Sequence, residues 1–354
     1  LHRRLGTPDA VVIGLGSMIG AGVFVVFGPA AASAGPGLLI ALAAAATVAY
    51  CNATSSARLA SLYPHSGGTY VYGRERLGPF WGYLAGWSFV VGKLASCAAM
   101  ALTVGLYVWP AHAHAVAVGA VVALTAVNYR GIGKSALATR VIVAVVLAVL
   151  AGVVAAVMIS GRADPARVTL TGGSPTGVLQ AAGLLFFAFA GYARIATLGE
   201  EVRDPARTIP RAIGIALTMT FAVYAVLAVT LMAILGPGLA TATAPLADAV
   251  RAAGAGGLEP VVRIGAAVAA LGSLLSLILG VSRTGLAMAR DGHLPAALAA
   301  VHPRYRVPHR AEVAVGVVVA TVAAVADVRS AIGFSSFAVL VYYAITNAAA
   351  ATLR

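Results

Sequence analysis

Residues 14–24 read Gly-Leu-Gly-Ser-Met-Ile-Gly-Ala-Gly-Val-Phe, inside the first long apolar run of the chain, residues 8–33. Glycine in a helix interior costs about 1 kcal/mol relative to alanine, so the glycines of this stretch strongly disfavour an unbroken helix. Two interpretations remain open. The small residues allow close packing of a helix against its neighbours, or the helix breaks partway and frees backbone groups that must face protein or a water-filled cavity.

The composition around this stretch excludes a soluble protein. Of the 354 residues, 60% are hydrophobic and only 10% are charged, with a mean hydropathy of +0.94. A soluble domain carries about 25% charged residues, and a disordered chain requires low hydrophobicity. The two cysteines, Cys51 and Cys97, lie in apolar runs, where packing is their ordinary role.

Ten runs are long enough to approach the ~20 apolar residues that cross a bilayer as a helix. Ala, Leu and Val dominate them without the alternation of a membrane barrel, so we predict an all-α polytopic membrane protein with ten transmembrane helices in a single domain, 1–354. A further short helix is expected near residues 245–251. The ten runs are 8–33, 37–62, 78–110, 113–127, 136–160, 176–198, 209–235, 261–281, 307–326 and 331–352.

The net charge of +13 is a topology signal rather than a sign of nucleic-acid binding. With the N-terminus inside, five of the 24 Lys and Arg residues fall in outside loops, and nearly all others fall inside, as the positive-inside rule requires. No compact basic face remains for a nucleic acid. We therefore predict a multi-pass protein of the cell membrane with a cytoplasmic N-terminus. The five outside cations are Arg162, Arg167, Arg251, Arg263 and Arg329.

The sixth run contains a second candidate interruption, Gly191, within the aromatic-rich residues 186–194. Alone, this segment is more typical of an ordinary aromatic core stripe. The first and sixth runs each open a set of five, however, and interrupted segments at matching places in two halves point to a transporter site. The pairing therefore favours broken helices in both runs.

These segments resemble the amino acid–polyamine–organocation (APC) superfamily, and in particular its cationic-amino-acid-transporter-like permeases. Residues 19–24 resemble the family's first-helix signature, and 186–192 resemble its sixth helix. The other resembling segments are Ala196-Thr197, Glu200-Glu201, Asp204-Pro205, Arg207 and Ile209-Pro210 after that helix, residues 282–284 and 287–292 at the end of the eighth, and residues 64–72 and 78–87 around the third.

The resemblance implies a leucine-transporter-type fold: a 5+5 inverted repeat, about 8–160 and 176–352, with helices one and six broken around a central site. Helices eleven and twelve, common in the family, are expected to be missing. N–H groups near Ala21 and Gly22 would bind the substrate carboxylate. Carbonyls of Met18, Phe187 and Ala190 would bind its ammonium, and Phe187 would be an aromatic gate. The expected substrate-binding set is Ser17, Met18, Gly20, Ala21, Gly22, Phe187, Ala190, Gly191 and Tyr192.

Two cations fall within spans and are candidates for coupling or gating, since an intramembrane charge is costly. Lys93 lies within the third run, and Arg194 lies near the inside end of the sixth. Snorkelling of the side chain to water is the alternative for both. Ser273 and Ser276 of the eighth run are candidates to hold a sodium ion together with helix-one carbonyls.

The sequence departs from the family at two places. Ala193 stands where relatives often carry an acid, and Val146 stands where several carry a coupling lysine. All eleven Asp and Glu residues lie in loops or near span ends. We therefore expect neither a carboxylate proton relay within the membrane nor an anion for a cationic side chain, and a neutral substrate is slightly preferred.

The loop after the sixth run carries mixed charges that suggest local salt bridges or an inside gate closing against Arg4 or Arg74. A solvated loop is the equal alternative. The four loop residues are Glu200, Glu201, Asp204 and Arg207.

The sequence thus predicts a secondary active amino acid transporter working by alternating access, coupled to protons or sodium or acting as an exchanger. The alternatives are a polyamine or cationic amino acid exchanger and a non-transporting amino acid sensor. No polar stripe suggests a channel, and no acid, base or nucleophile set suggests an enzyme. We expect no cofactor and no metal site; the expected partners are a small amino acid and the lipid bilayer.

Overall fold

A computed structural model describes residues 6–63, 68–131, 136–170, 172–196 and 202–353, and the regular elements in these ranges are helices. Short 3-10 turns join several of them. The α-helices are α1 (Thr7–Met18), α2 (Ala21–Val25), α3 (Phe27–Ala34), α4 (Leu38–Leu62), α5 (Thr69–Leu77), α6 (Pro79–Val108), α7 (Ala113–Tyr129), α8 (Ala136–Ile159), α9 (Pro175–Phe189), α10 (Ala193–Ala196), α11 (Pro205–Leu235), α12 (Pro245–Ala252), α13 (Glu259–Arg290), α14 (His309–Val325) and α15 (Val328–Ala351).

Nine helical stretches of the described chain are long and apolar enough to cross a membrane, which confirms an all-helical polytopic protein. α14, with 17 residues, is one further apolar helix just below that length. The ten-helix inverted repeat stays a prediction. The nine stretches are Thr7–Val25, Phe27–Leu62, Pro79–Val108, Pro110–Tyr129, Leu137–Ile159, Pro175–Ile195, Pro205–Thr241, Gly256–Arg290 and Val328–Ala351.

Side-chain contacts show which helix ends lie together. At the end that carries the start of α1, here called the proximal end, Arg140 of α8 pairs with Asp9, and Arg76 of α5 donates to Thr352 after α15. At the opposite, distal end, Arg329 of α15 donates to Ser33 of α3 at 3.0 Å. The short helix predicted near residues 245–251 is α12.

The helices pack through small side chains. In lipid there is no hydrophobic driving force between apolar helices, so van der Waals contact at short distance must hold them together. In α4 the buried face is largely alanine, and it packs against α9 and α11. Gly105 of α6 approaches the backbone of Ala113 so closely that a side chain at 105 would displace it.

Helix starts follow ordinary capping chemistry. The Ser174 hydroxyl accepts the Gly177 amide at 3.0 Å, ahead of Pro175 in the first turn of α9. Asp327 accepts the Ser330 amide at 2.9 Å at the start of α15. These caps satisfy amides that have no partner within the helix.

Candidate functional site

The first apolar run leaves the α-helix at two residues. α1 ends at Met18, and Ile19 (φ −84°, ψ 54°) and Gly20 (φ −106°, ψ −139°) are not helical. Helical hydrogen bonding then resumes in α2 and continues into α3, since the Val26 amide donates to Gly22 at 3.0 Å. The first amides of this second segment lack an intrahelical partner, and Gly20 supplies no side-chain cap.

The second candidate interruption departs less from an α-helix. α9 ends at Phe189, residues 190–192 form one 3-10 turn, and α10 follows. A 3-10 turn inside a longer helix often marks a hinge or a strained sequence.

The two interruptions contact each other through glycine. A Cβ at Gly191 would overlap the Ser17 carbonyl and lie 2.7 Å from the Met18 amide nitrogen. A Cβ at Gly22 would lie 3.0 Å from the Cα of Ala188. Only a residue without a side chain permits this approach of backbone to backbone. Gly22 and Gly191, both expected site residues, thus each lie at the contact between the two segments.

A tyrosine that the sequence analysis missed joins the same backbones. The hydroxyl of Tyr224, in α11, lies 2.6 Å from the Met18 carbonyl oxygen and 3.1 Å from that of Ala188. A buried tyrosine hydroxyl requires such partners. The Met18 carbonyl therefore already accepts one hydrogen bond, and its second lone pair is the one left for a substrate.

The aromatic residues of the sixth run lie in two environments. Phe187 is 8% exposed, and its ring atom Cδ1 lies 3.4 Å from the position of a Cβ on Gly22. Tyr192 instead packs on Tyr343 of α15, with ring centroids 5.2 Å apart. Phe187 thus borders the contact between the interruptions, whereas the Tyr192 ring contacts another helix.

Of the four coupling candidates, the structure brings Ser273 to the interruption. Its Oγ abuts Gly20 so closely that a Cβ there would overlap it. The Ser276 hydroxyl donates to Gly272 in its own helix at 3.1 Å. Lys93 is buried at 8% exposure, whereas the Arg194 side chain is exposed.

The contact between the interruptions is largely buried, although Ser17 and Gly191 keep partial exposure. Met18, Ile19 and Ala21 are each no more than 2% exposed. A pocket of about 520 Å³ lies elsewhere, between α7 and α14, and one of about 650 Å³ lies beside the start of α11.

A cluster of polar side chains lies at the proximal end. The Tyr70 hydroxyl, on α5, donates to Asp291 Oδ2 at 2.5 Å and lies 3.0 Å from His293 Nδ1, while Arg74 pairs with Asp291 at 3.4 Å. Burial, and then the hydrogen bond to Asp291, raise the pKa of Tyr70 to about 12, so its hydroxyl stays a donor at physiological pH. We call Tyr70, Arg74, Asp291 and His293 the proximal cluster.

The gate predicted after the sixth run is described only in part. Asp204 pairs with Arg207 in its own helix at 3.8 Å. Arg74, one of the two proposed gate partners, pairs with Asp291 and Glu75. Arg4, Glu200 and Glu201 lie outside the described residues.

Within the described ranges, no group of three or more His, Cys, Asp or Glu side chains is placed to hold a metal ion.

Apolar helices of this length, packed into one bundle, define a multi-pass membrane protein. A profile of the amino acid permease family matches residues 9–354. The chain therefore belongs to the amino acid permease family, and it is an amino acid transporter of the membrane, as the resemblance to the APC superfamily predicted.

Individual relatives agree with this assignment. The chain is 73% identical over its whole length to an uncharacterized transporter of Mycobacterium tuberculosis, covering 81% of that protein. It is 29% identical to the branched-chain amino acid permease BcaP of Bacillus subtilis, over 87% of this chain and 72% of the relative. It is also 29% identical to the vacuolar cationic amino acid transporter 4 of Arabidopsis thaliana, over 93% of this chain and 59% of the relative.

Proposed function

We propose that this protein is a secondary active transporter that binds a neutral amino acid between the two interruptions and works by alternating access. The observation that carries the proposal is the loss of helical structure at Ile19 and Gly20, directly after the residues that meet the 3-10 turn at 190–192. Unpaired amides at Ala21 and Gly22 suit a carboxylate. Carbonyls of Met18, Phe187 and Ala190 suit an ammonium group.

The remaining members of the proposed set have positioning roles. Ser17 and Gly191 set the distance between the backbones, and Gly20 gives the turn between α1 and the next helix. Tyr192 fixes the 3-10 turn against α15. A helix end contributes about 0.3–1 kcal/mol at an exposed site and up to ~2 kcal/mol when partly buried, so direct hydrogen bonds must supply most of the affinity.

A neutral substrate is favoured over a cationic one. Ala193 offers no carboxylate near the interruption, and one relative is a branched-chain amino acid permease. The second candidate function is exchange of cationic amino acids, and it is supported by the similarity to a cationic amino acid transporter. A competition panel of neutral and cationic amino acids in proteoliposomes separates the two by which class blocks uptake.

The transport test compares two glycines. In Gly22→Ala the new methyl meets the Ala188 backbone, so amino acid uptake into proteoliposomes should fall strongly. Gly119→Ala adds the same methyl where nothing lies within 4 Å, and its uptake should match wild type. Wild-type protein that carries no amino acid, in either the presence or absence of ion gradients, would refute the transporter and favour the sensor.

Coupling is tested at two residues. If Ser273 helps to hold sodium against helix one, uptake by Ser273→Ala should no longer depend on sodium. Wild-type uptake that does not depend on sodium would contradict this hypothesis. If Lys93 carries a proton or a gating charge, Lys93→Met should alter the pH profile. Arg194, whose side chain is exposed, serves as the comparison cation through Arg194→Met.

The charge distribution supports a place in the cell membrane with a cytoplasmic N-terminus. The proximal end carries Arg74, Arg140 and Arg290, whereas the distal end carries the few cations of the predicted outside loops. The proximal end is therefore the proposed cytoplasmic face.

A further inference from the structure

One acidic side chain in the helix bundle is completely buried. Glu312, in the first turn of α14, is 0% exposed. Neither carboxyl oxygen has a hydrogen-bond partner among the described residues. An ionised carboxylate in such a place costs several kcal/mol unless a partner offsets it. Binding of a proton neutralises the carboxylate. A metal cation would also need a shell of oxygen ligands, whereas a proton does not.

Two other buried polar atoms without a partner accompany it: His309 Nδ1 and Thr125 Oγ1. His309 and Gly316 lie three residues before and four after Glu312, so all three share one face of α14. That face meets α7, because the His309 ring lies 6.0 Å from that of Tyr129, and a Cβ on Gly316 would lie 2.6 Å from Thr125 Oγ1. Glu312 lies between His309 and Gly316 on this face, so it also faces α7.

The charged groups around Glu312 leave it without a direct counter-ion. Its own helix contributes His309 and Arg310. The elements packed on α14 are α6, α7, α13 and the 3-10 turn Ala296–Ala299. Their titratable groups in the proximal half are Tyr83 and Lys93 of α6, Tyr129 and Arg130 of α7, and Arg283 and Arg290 of α13, while the turn has none. Of these, Arg283 acts electrostatically on Glu312, and its side chain is exposed.

Contacts of α7 and α13 lead from the region of this carboxyl to the interruption in the first run. Asn128, one turn from Thr125 on α7, donates its side-chain amide to the Leu275 carbonyl of α13 at 3.1 Å. Two residues from Leu275, Ser273 abuts Gly20. A change of charge on Glu312 therefore acts on an interface that α13 shares with the candidate site, as a coupling element requires.

We propose that the Glu312 carboxyl is a proton-binding site that couples amino acid transport to a proton gradient. This inference rests on the proposed function and differs from the expectation that no carboxylate relay lies within the bundle. The proton arrives from water on the distal side while the centre is open to that side, and it forms an O–H bond on one carboxyl oxygen. That bond breaks, and the proton leaves to water at the proximal end, where α14 begins, when α14 separates from α7.

The test uses Glu312→Gln, which keeps the volume of the side chain and removes the proton site. A one-unit pH gradient coupled to one proton supports about tenfold accumulation. Wild-type proteoliposomes should show this accumulation and Glu312→Gln should show none, while amino acid counterflow without a gradient persists in both. Glu75→Gln, which alters an exposed carboxylate, should behave as wild type. Equal accumulation in wild type and Glu312→Gln overturns the proposal, as does accumulation driven by sodium alone.

A second readout does not depend on transport. Infrared difference spectra across a pH titration should contain the carbonyl band of a buried protonated carboxylic acid, absent from Glu312→Gln and shifted in Glu312→Asp. Absence of the band from wild type overturns the proposal, even if amino acid flux is normal. Presence of the band without any amino acid flux instead refutes the proposed function and leaves the proton site standing.

Discussion

At the scale of single residues, Gly191 has the most demanding environment in the candidate site. A methyl group there would overlap the Ser17 carbonyl, which is backbone and cannot rotate away. Overpacking of this kind costs about 1–3 kcal/mol. Gly191→Ala should therefore lower the unfolding temperature and abolish transport, whereas Gly183→Ala, with open space at its Cβ, should change neither. Normal uptake by Gly191→Ala would show that the backbones need not approach at all.

Tyr224 offers a separate prediction at the same scale. Tyr224→Phe keeps the ring contacts with Phe27 and Phe189 but leaves the carbonyls of Met18 and Ala188 without their donor. An unsatisfied buried group costs about 1–3 kcal/mol, so thermal stability in detergent should fall. Tyr83→Phe, in a partly exposed tyrosine, is the control. An unchanged melting temperature would show that these carbonyls find other donors.

The sequence revealed the glycines of this site but not the tyrosine. Clustered glycine is visible because it contradicts helix propensity within a few residues. Tyr224 sits in an ordinary apolar run, and its bond to Met18 spans 206 positions. Ser273 differs, since it was already a sodium-binding candidate from the sequence and it lies against Gly20 in the structure.

At the scale of elements, the proximal cluster ties α5 to the end of α13. Asp291→Asn removes the ion pair with Arg74 and weakens the bond from Tyr70. Hydrogen bonds to charged groups contribute about 1.5–3 kcal/mol. If the bonds of the proximal cluster hold the proximal side closed, their loss should expose the centre. The cysteine of Ser17→Cys should then react about tenfold faster with a thiol reagent when Asp291→Asn is also present.

The matched control for this experiment is Asp204→Asn, because Asp204 pairs only within its own helix among the described contacts. Its labelling rate at Ser17→Cys should equal that of the parent protein. An equal rate in Asp291→Asn as well would mean that the cluster fixes the fold of the loop without controlling access.

Element bounds were predictable wherever the apolar run and the helix coincide. The run 37–62 became α4, Leu38–Leu62. The predicted run 261–281 ends too early, because α13 continues to Arg290 and buries Met288 on one face. A helix that leaves an apolar layer keeps its hydrogen bonds but becomes amphipathic, so an apolar-length criterion ends too early.

At the scale of the whole molecule, the helical class and the family followed from the sequence, while the backbone contacts at the centre did not. Composition excludes water as the solvent, and that conclusion needs no coordinates. These contacts join segments far apart in sequence, such as Gly22 with Ala188 and Gly191 with Ser17. No local pattern contains that information.

The orientation of the molecule gives the last prediction. Since cations concentrate at the proximal end, that end should face the cytoplasm. Leu170, at the distal end, is 65% exposed, and Ala297 lies exposed in the proximal loop. In a background with Cys51 and Cys97 replaced, an impermeant thiol reagent should label Leu170→Cys in intact cells. It should label Ala297→Cys only after permeabilisation. The reverse pattern would invert the direction assigned here to proton release from Glu312, because α14 begins at the same end as Ala297.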